Sequence, residues 1–292
     1  STRISWASHH SGRMGQVSPK GQPATFKVHS FKAMGPSMAS TTSSTVICSG
    51  GLTNVNLSSS VSGATFIWSA AGNSATLTPP PPVSGTSNPI QPSFVNSGII
   101  VETVTYAITP VAAGCSPAAT NYTVDVNPVP SVICVSTQPA FCSGTSSLAT
   151  PLSSGVTSGV NYTWVAVANP VTLTGFAPAG ASATAIPAET IFNPGNTQGS
   201  VTYTVTAFFG FCTGTTNTHT ILVNPIPDLS ITPVITPVIC SGGQTNILLS
   251  SSVNGATYNW TAMGNSATLT PPPPFSGTGN PIQPSFLNSG NV

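Results

Sequence analysis

The chain repeats itself at a period that leaves room for little besides a string of small domains. Residues 46–100 and 238–292 align without a gap at an offset of 192, with 42 of 55 positions identical. Both read V-I-C-S-G-G, then L-S-S-S-V, G-A-T, a tryptophan, G-N-S-A-T-L-T-P-P-P-P and N-P-I-Q-P-S-F. A diverged copy lies between them. It begins at Cys142-Ser143-Gly144, carries Tyr162-Thr163-Trp164 and closes on Val223-Asn224-Pro225-Ile226-Pro227, the counterpart of Val126-Asn127-Pro128-Val129-Pro130. Cys48, Cys142 and Cys240 set a period of 94 and then 98 residues. About 100 residues is the size of one two-sheet sandwich, so each period reads as one domain.

Within a copy the apolar residues alternate. In the first copy, 53–57, 65–70, 103–109 and 121–126 have period-2 apolar positions bounded by Gly, Pro, Ser or Asn, the pattern of half-buried strands. The prolines at 79–82 lack the N–H groups that a central strand needs and predict an extended loop or sheet edge. The Asn-Pro-x-Pro segments between copies read as short, stiff linkers that favour a rod. The expected fold is all-β, with four parts: an atypical segment 1–45, repeat one at 46–130, repeat two at 131–228 and a partial repeat three at 229–292.

Charge narrows the function. All five basic residues (Arg3, Arg13, Lys20, Lys27, Lys32) fall in the first 32 positions, and the acids are Glu102, Asp125, Glu189 and Asp228. A body without Lys or Arg cannot neutralise phosphates, which excludes nucleic acid as its partner. Net charge is +1, so little long-range repulsion keeps copies apart and self-association is expected. No apolar run reaches the length of a membrane span. With 39% apolar residues and turn residues placed between alternating runs, the chain reads as folded rather than disordered.

The cysteines occupy equivalent places. Cys48 and Cys115 are 67 residues apart, Cys142 and Cys212 are 70 apart, and this equivalence predicts one intradomain disulfide per complete repeat. Trp68, Trp164 and Trp260 follow the first cysteine of their copy by 20, 22 and 20 residues, like the Cys–Trp–Cys core of immunoglobulin domains. These tryptophans are expected in cores. Cys240 and Cys134 are left unpaired. Cys134 reads as a buried thiol or a local bridge, with an intermolecular bond as a third option. Disulfides imply an oxidising, extracytoplasmic location.

Several motifs together carry a family likeness: Cys48-Ser49-Gly50, Phe66-Ile67-Trp68, the T-V-T-Y strand at 103–109, Gly114-Cys115 and Val126-Asn127-Pro128-Val129-Pro130. With their counterparts in copy two, they make the chain resemble the PKD-like and Ig-like repeats of secreted Bacteroidota surface proteins. The resemblance spans about 46–292. It implies tandem immunoglobulin-like (PKD-like) β-sandwich domains, the last one incomplete, in long exported proteins that serve as spacers, adhesins or gliding-associated filaments. It carries over no catalytic, cofactor or metal residues.

The residues themselves offer little chemistry. His219 is the one histidine of the repeats and sits on an alternating strand, so a strand residue is favoured over a general base. The four acids form no repeated carboxylate pair, and neither a G-x-S-x-G elbow nor a P-loop lysine is present. No metal or cofactor is expected, and no enzyme activity. The sequons at Asn56, Asn121, Asn161 and Asn259 read as chance matches in a chain rich in Asn and Thr. Val292 aligns with Ile100, so copy three lacks two strands and a second cysteine. One account is a fragment of a longer repeat protein. The other is strand complementation by a second copy, with residues 1–45 as the candidate donor and alternation at 24–31; the competing reading of 1–45 is a leader, a tag or a vector-derived stretch. The reading is an extracellular structural or adhesive protein of a surface fibre, assembled head-to-tail with copies of itself or continued by further repeats. The alternative is a module binding a surface glycan, or an inert stalk.

Overall fold

Strict alternation makes the central strands. Every second residue of Glu102–Val111 is buried, as is every second residue of Gly199–Phe209 as far as Ala207, and these two runs are the middle of the two large sheets. The structure, a computed structural model, describes residues 45–72, 75–135, 138–232, 238–264, 268–270 and 275–290, with the backbone also described at 16–17, 23–24 and 38–41. The five basic residues, His9, His10 and His29 lie outside the described residues, as does 25–31 of the expected donor stretch. Two compact units divide the chain at Pro128/Val129.

The first unit holds repeat one. Its strands are β1 (Met38–Thr41), β2 (Val46–Cys48), β3 (Asn56–Ser59), β4 (Thr65–Gly72), β5 (Leu77–Thr78), β6 (Val83–Gly85), β7 (Val95–Asn96), β8 (Glu102–Val111) and β9 (Thr120–Asn127). A five-stranded sheet runs β2-β9-β8-β4-β6, antiparallel except where β2 lies parallel to the end of β9. The opposite layer is made of short pairings, β1 with β3 and β5 with β7, plus single bridges Leu52–Ser93 and Val55–Ile90. Val55, Leu77, Ile90 and Phe94 from this layer meet Val104, Tyr106, Ile108 and Val124 from the large sheet. Each of these buried side chains removes apolar surface worth roughly 1.5–3 kcal/mol. The prolines at 79–82 join β5 to β6, outside any strand.

The segment set apart by its composition is not wholly apart. Met38–Thr41 pairs with Asn56–Ser59, so repeat one takes its first strand from upstream of residue 46.

Repeat two, in the second unit, follows the same plan with β10 (Ile133–Cys134), β11 (Phe141–Cys142), β12 (Thr150–Ser153), β13 (Val160–Asn169), β14 (Ala179–Ser182), β15 (Ala185–Ile186), β16 (Gly199–Phe209) and β17 (Cys212–Asn224). The large sheet is β11-β17-β16-β13-β14, and β10-β12-β15 faces it. Ile191, Val201, Tyr203, Val205 and Val223 lie in the core between them. The same unit continues into repeat three. There β18 (Ser230–Thr232) pairs with β19 (Leu248–Ser250), β20 (Trp260–Ala262) with β22 (Phe275–Gly277), and β21 (Leu269–Thr270) with β23 (Leu287–Asn288). All described secondary structure is strand.

Candidate functional site

The residues with chemical potential are mostly used to hold loops. In each copy the serine of C-S-G is tied to an asparagine some fifty residues on. Ser49 Oγ accepts the Asn96 N–H at 2.9 Å, Ser143 Oγ accepts that of Asn193 at 2.8 Å, and Ser241 Oγ accepts that of Asn288 at 2.9 Å. The glycine of the motif has φ near +80° in all three copies, a conformation that other L residues rarely adopt. Asn96 and Asn193 are buried and fully bonded. Their amides donate to Ile100 O and Val126 O, and to Thr197 O and Val223 O, while Oδ1 accepts the N–H of Gly98 or Gly195. A second device is a side-chain amide that mimics a strand. Asn88 exchanges two hydrogen bonds of 2.9 Å with the backbone of Leu57, and Asn280 does the same with Leu249.

The tryptophans differ by copy. Trp68 and Trp164 are 6% and 5% exposed, while Trp260 is half-buried. Each indole lies against the glycine opposite it on the neighbouring strand: Trp68 against Gly85, Trp164 against Gly180 and Trp260 against Gly277. A Cβ at those glycines would sit 2.6, 2.3 and 2.4 Å from the indole, closer than packing allows. Trp68 and Trp260 donate Nε1–H to Ser87 O and Gly279 O. Among the described residues, Trp164 Nε1 and His219 Nε2 are the buried polar side-chain atoms without a partner.

The cysteines correct the expected pairing. Cys115 and Cys142 are exposed free thiols, and neither a 48–115 nor a 142–212 disulfide forms. The reason is geometric. Cys48 sits beside Asn127 at one end of the large sheet, and Cys115 lies beyond Val111 at the other, a ten-residue strand of about 34 Å away. Cys142 pairs with Asn224 and Cys212 begins the same thirteen-residue strand, about 40 Å apart. A disulfide needs Cα atoms within about 7 Å. Cys48 and Cys212 are the disulfide-bonded cysteines, and Cys134 and Cys240 are free. Burial pushes the Cys134 thiol pKa up.

Titratable groups inside the two cores are arranged to stay neutral or to brace a loop. Tyr106, fully buried, donates to Thr53 Oγ1 at 3.1 Å, and burial pushes its phenol up to about 12 against a smaller opposing effect of that bond. In repeat two the counterpart phenol, Tyr203, donates instead to Glu189 Oε2. Glu189 Oε1 accepts the Ala177 N–H at 2.9 Å, and its own N–H donates to Ser147 Oγ. Burial first, and the Glu189 carboxylate second, raise the Tyr203 pKa. His219 stacks on Tyr203 with ring centroids 6.4 Å apart, and burial lowers its pKa, which favours the neutral imidazole. Asp228 is fully exposed. It accepts bonds from Ser251 Oγ, Ser252 N and Ser252 Oγ, which hold its carboxyl down to about 2.

Residues 45–130 and 139–227 each match the PKD-like domain. The chain belongs to the PKD-like domain family. Among solved structures, it is similar to the extracellular domain of protocadherin gammaB4 at 11% identity and a TM-score of 0.31, over 88% of this chain and 46% of that one. It therefore spans just under half of the protocadherin's length. A mouse cadherin-23 fragment, EC22-24, is similar at 10% identity and a TM-score of 0.31, over 88% of this chain and 89% of its own. No curated protein matches.

In the three copies the sequence reading missed the partners. The asparagine that each C-S-G serine holds recurs as Asn96-Ser97-Gly98, Asn193-Pro194-Gly195 and Asn288-Ser289-Gly290, and this Asn-x-Gly signal was present in the repeat. The glycine beneath each tryptophan was likewise visible in Val83-Ser84-Gly85 and Phe275-Ser276-Gly277. Among the described residues no cluster of three His, Cys, Asp or Glu could hold a metal ion, and no helix is long and apolar enough to cross a membrane. The outward face of the large sheet of repeat two is uncharged. Thr163, Val165 and Val167 on β13 lie beside Thr206, Thr204 and Thr202 on β16, and Thr202 and Thr220 share a hydroxyl bond of 3.0 Å. Val165 and Val167 are 56% and 66% exposed.

Proposed function

We propose that the chain is a non-enzymatic, extracellular structural or adhesive module, a segment of a surface fibre whose copies associate through uncharged β surfaces. The observation that carries this reading is the use of the polar side chains. Ser49, Asn96, Asn88, Thr53 and Tyr106 are engaged in bracing loops against sheet, and their counterparts in the other copies largely repeat the arrangement. Such groups rigidify a scaffold, whereas catalysis needs polar groups converging on a cleft. The exposed valines among threonine rows on β13 and β16 support contact with another flat surface, and after Lys32 the only acidic or basic side chains besides His219 are Glu102, Asp125, Glu189 and Asp228, so little charge repels a like copy. The location rests on family membership and on a disulfide-bonded chain.

Negative-stain electron microscopy of purified chain at rising concentration tests the reading, alongside a glycan array. Regular fibres or lateral bundles are expected, with no glycan retained. Monodisperse single chains at all concentrations would overturn self-association. Tight binding to one glycan would replace it with a lectin, against the burial of Trp68 and Trp164.

A further inference from the structure

The outward face of the large sheet of repeat two repeats one kind of side chain at regular intervals. The central strand β16 presents Thr202, Thr204 and Thr206, and across on β17 they meet Thr220, Thr218 and Thr216. On the other flank, β13 sets Val167, Val165 and Thr163 against the same three. The β13 and β17 members are exposed and the β16 members half-buried. Neighbours across strands stand ~4.8 Å apart and rows along a strand ~6.8 Å apart, so hydroxyls and methyls form a rectangular grid. Thr202 and Thr220 share a hydroxyl bond of 3.0 Å, which fixes rotors that otherwise turn freely. None of these Thr and Val side chains carries a charge.

Strand propensity favours Thr and Val but does not by itself make such a grid. Repeat one shows this on the same scaffold. Counting from Trp68 and Tyr106, the counterparts of Trp164 and Tyr203, the row Val165–Thr204–Thr218 becomes Ser69–Ala107–Asn121. Further along, Thr103 stands against Asp125, whose carboxylate accepts the threonine hydroxyl at 2.8 Å. The grid belongs to repeat two.

We propose that this face of repeat two binds the surface of ice. Oxygen atoms on the faces of hexagonal ice repeat at comparable distances in two directions. Hydroxyls at that spacing hold first-shell waters in place, and the methyls between them order water without bonding to it. Waters over the grid then stand near lattice positions before the ice front arrives, and join it. Charge agrees as well: a growing ice lattice rejects ions, and the face it meets here is uncharged. With Ala179 and Ala181 of β14 beside Val165 and Thr163, the face measures about 15 Å in each direction. That is well below the roughly 800 Å² per partner of a stable protein dimer, so copies that associate need further surface, whereas a crystal plane meets the whole face at once. Twist accumulates across a sheet and confines the match to these rows, so slowed and reshaped ice growth is the expected effect, not nucleation. The inference goes beyond the structural reading above and does not depend on it.

Slow growth of ice from a solution of the 292-residue chain, with the protein measured in ice and liquid and crystal shape followed by microscopy, tests the proposal. The chain is expected to be enriched in the ice, to give faceted crystals, and to hold the freezing point below the melting point. Thr218→Lys puts a charge at an exposed position of the central row and should raise the concentration needed for these effects roughly tenfold. Asn121→Lys, the matching change in repeat one, should leave that concentration unaltered, and circular dichroism checks that both variants keep their strand content. Exclusion of the chain from ice, rounded crystals, or equal effects of the two variants would each overturn the proposal. A dimer in sedimentation that Thr218→Lys dissolves, with no effect on ice, would also overturn it and give the face to a second copy. Fibres under the microscope from a chain that ice excludes would leave the structural reading standing and remove this one. Single chains that enter the ice would do the reverse.

Discussion

Repeats one and three share three quarters of their aligned residues and yet are buried very differently. The same loop framework is present in both: Thr53 and Thr245 reach carbonyls of Ile90 and Pro92 or of Ile282 and Pro284, and the Asn88–Leu57 exchange recurs as Asn280–Leu249. The core does not follow. Val55, Ile90 and Phe94 have no exposure in repeat one, while Ile247, Ile282 and Phe286 are half-buried. In repeat one, Val104, Tyr106, Val124 and Val126 of the long β8–β9 hairpin lie over these residues. In repeat three, Ile239, Leu269, Phe286 and Asn288 line an open groove of about 540 Å³. Local hydrogen bonding is therefore encoded within some fifty residues, whereas apolar burial is delivered by strands distant in sequence.

Truncating the shared phenylalanine separates the two repeats most sharply. Phe94→Ala should cost repeat one about 3–5 kcal/mol, the loss for a fully buried aromatic, and Phe286→Ala should cost repeat three less than about 1 kcal/mol. Hydrogen exchange resolved by segment measures both, and equal losses would break the comparison. Next comes the glycine under the indole. Gly85→Ala forces a Cβ into Trp68, which is buried and packed edge-on against Tyr106, and should cost about 1–3 kcal/mol. Gly277→Ala meets the same clash with a half-buried Trp260 that is freer to turn away, so its loss in a urea titration should be smaller. The weakest effect concerns acid. Asp228 has a folded-state pKa pulled down from 3.8 to about 2, so its bonds to Ser251 and Ser252 contribute above the ordinary carboxylate value and are lost as pH falls through about 2. The Ser252 amide should then exchange faster in strong acid, and Asp228→Asn should remove that step.

How much was legible in the sequence varies with the range of the signal. Alternation placed 65–70, 103–109 and 121–126 inside observed strands, because burial on one face imposes period 2 on any residue choice. The stretch at 53–57 yielded only a bridge at Val55 and the start of β3, since Thr53 and Val55 are held there by bonds to the 90–92 loop instead of a regular ladder. The first strand of repeat one escaped notice because its residues belong to a segment of foreign composition, and backbone pairing does not depend on composition. The cysteine pairing failed for another reason. Equal sequence separations suggested equivalent loops, but separation carries no direction, and antiparallel strands carried the two thiols to opposite ends of each sheet.

The parallel lie of β2 against the end of β9, and of β11 against the end of β17, has a mechanical consequence. A pull on both ends of the chain draws an early strand and the last strand of a repeat past each other along their length. The hydrogen bonds between them, and the Ser–Asn clamp beside them, then carry the force together instead of opening one at a time from an end. A repeat wired in this way resists stretching better than its modest ladder would suggest, a useful property for a module that transmits tension between whatever it joins.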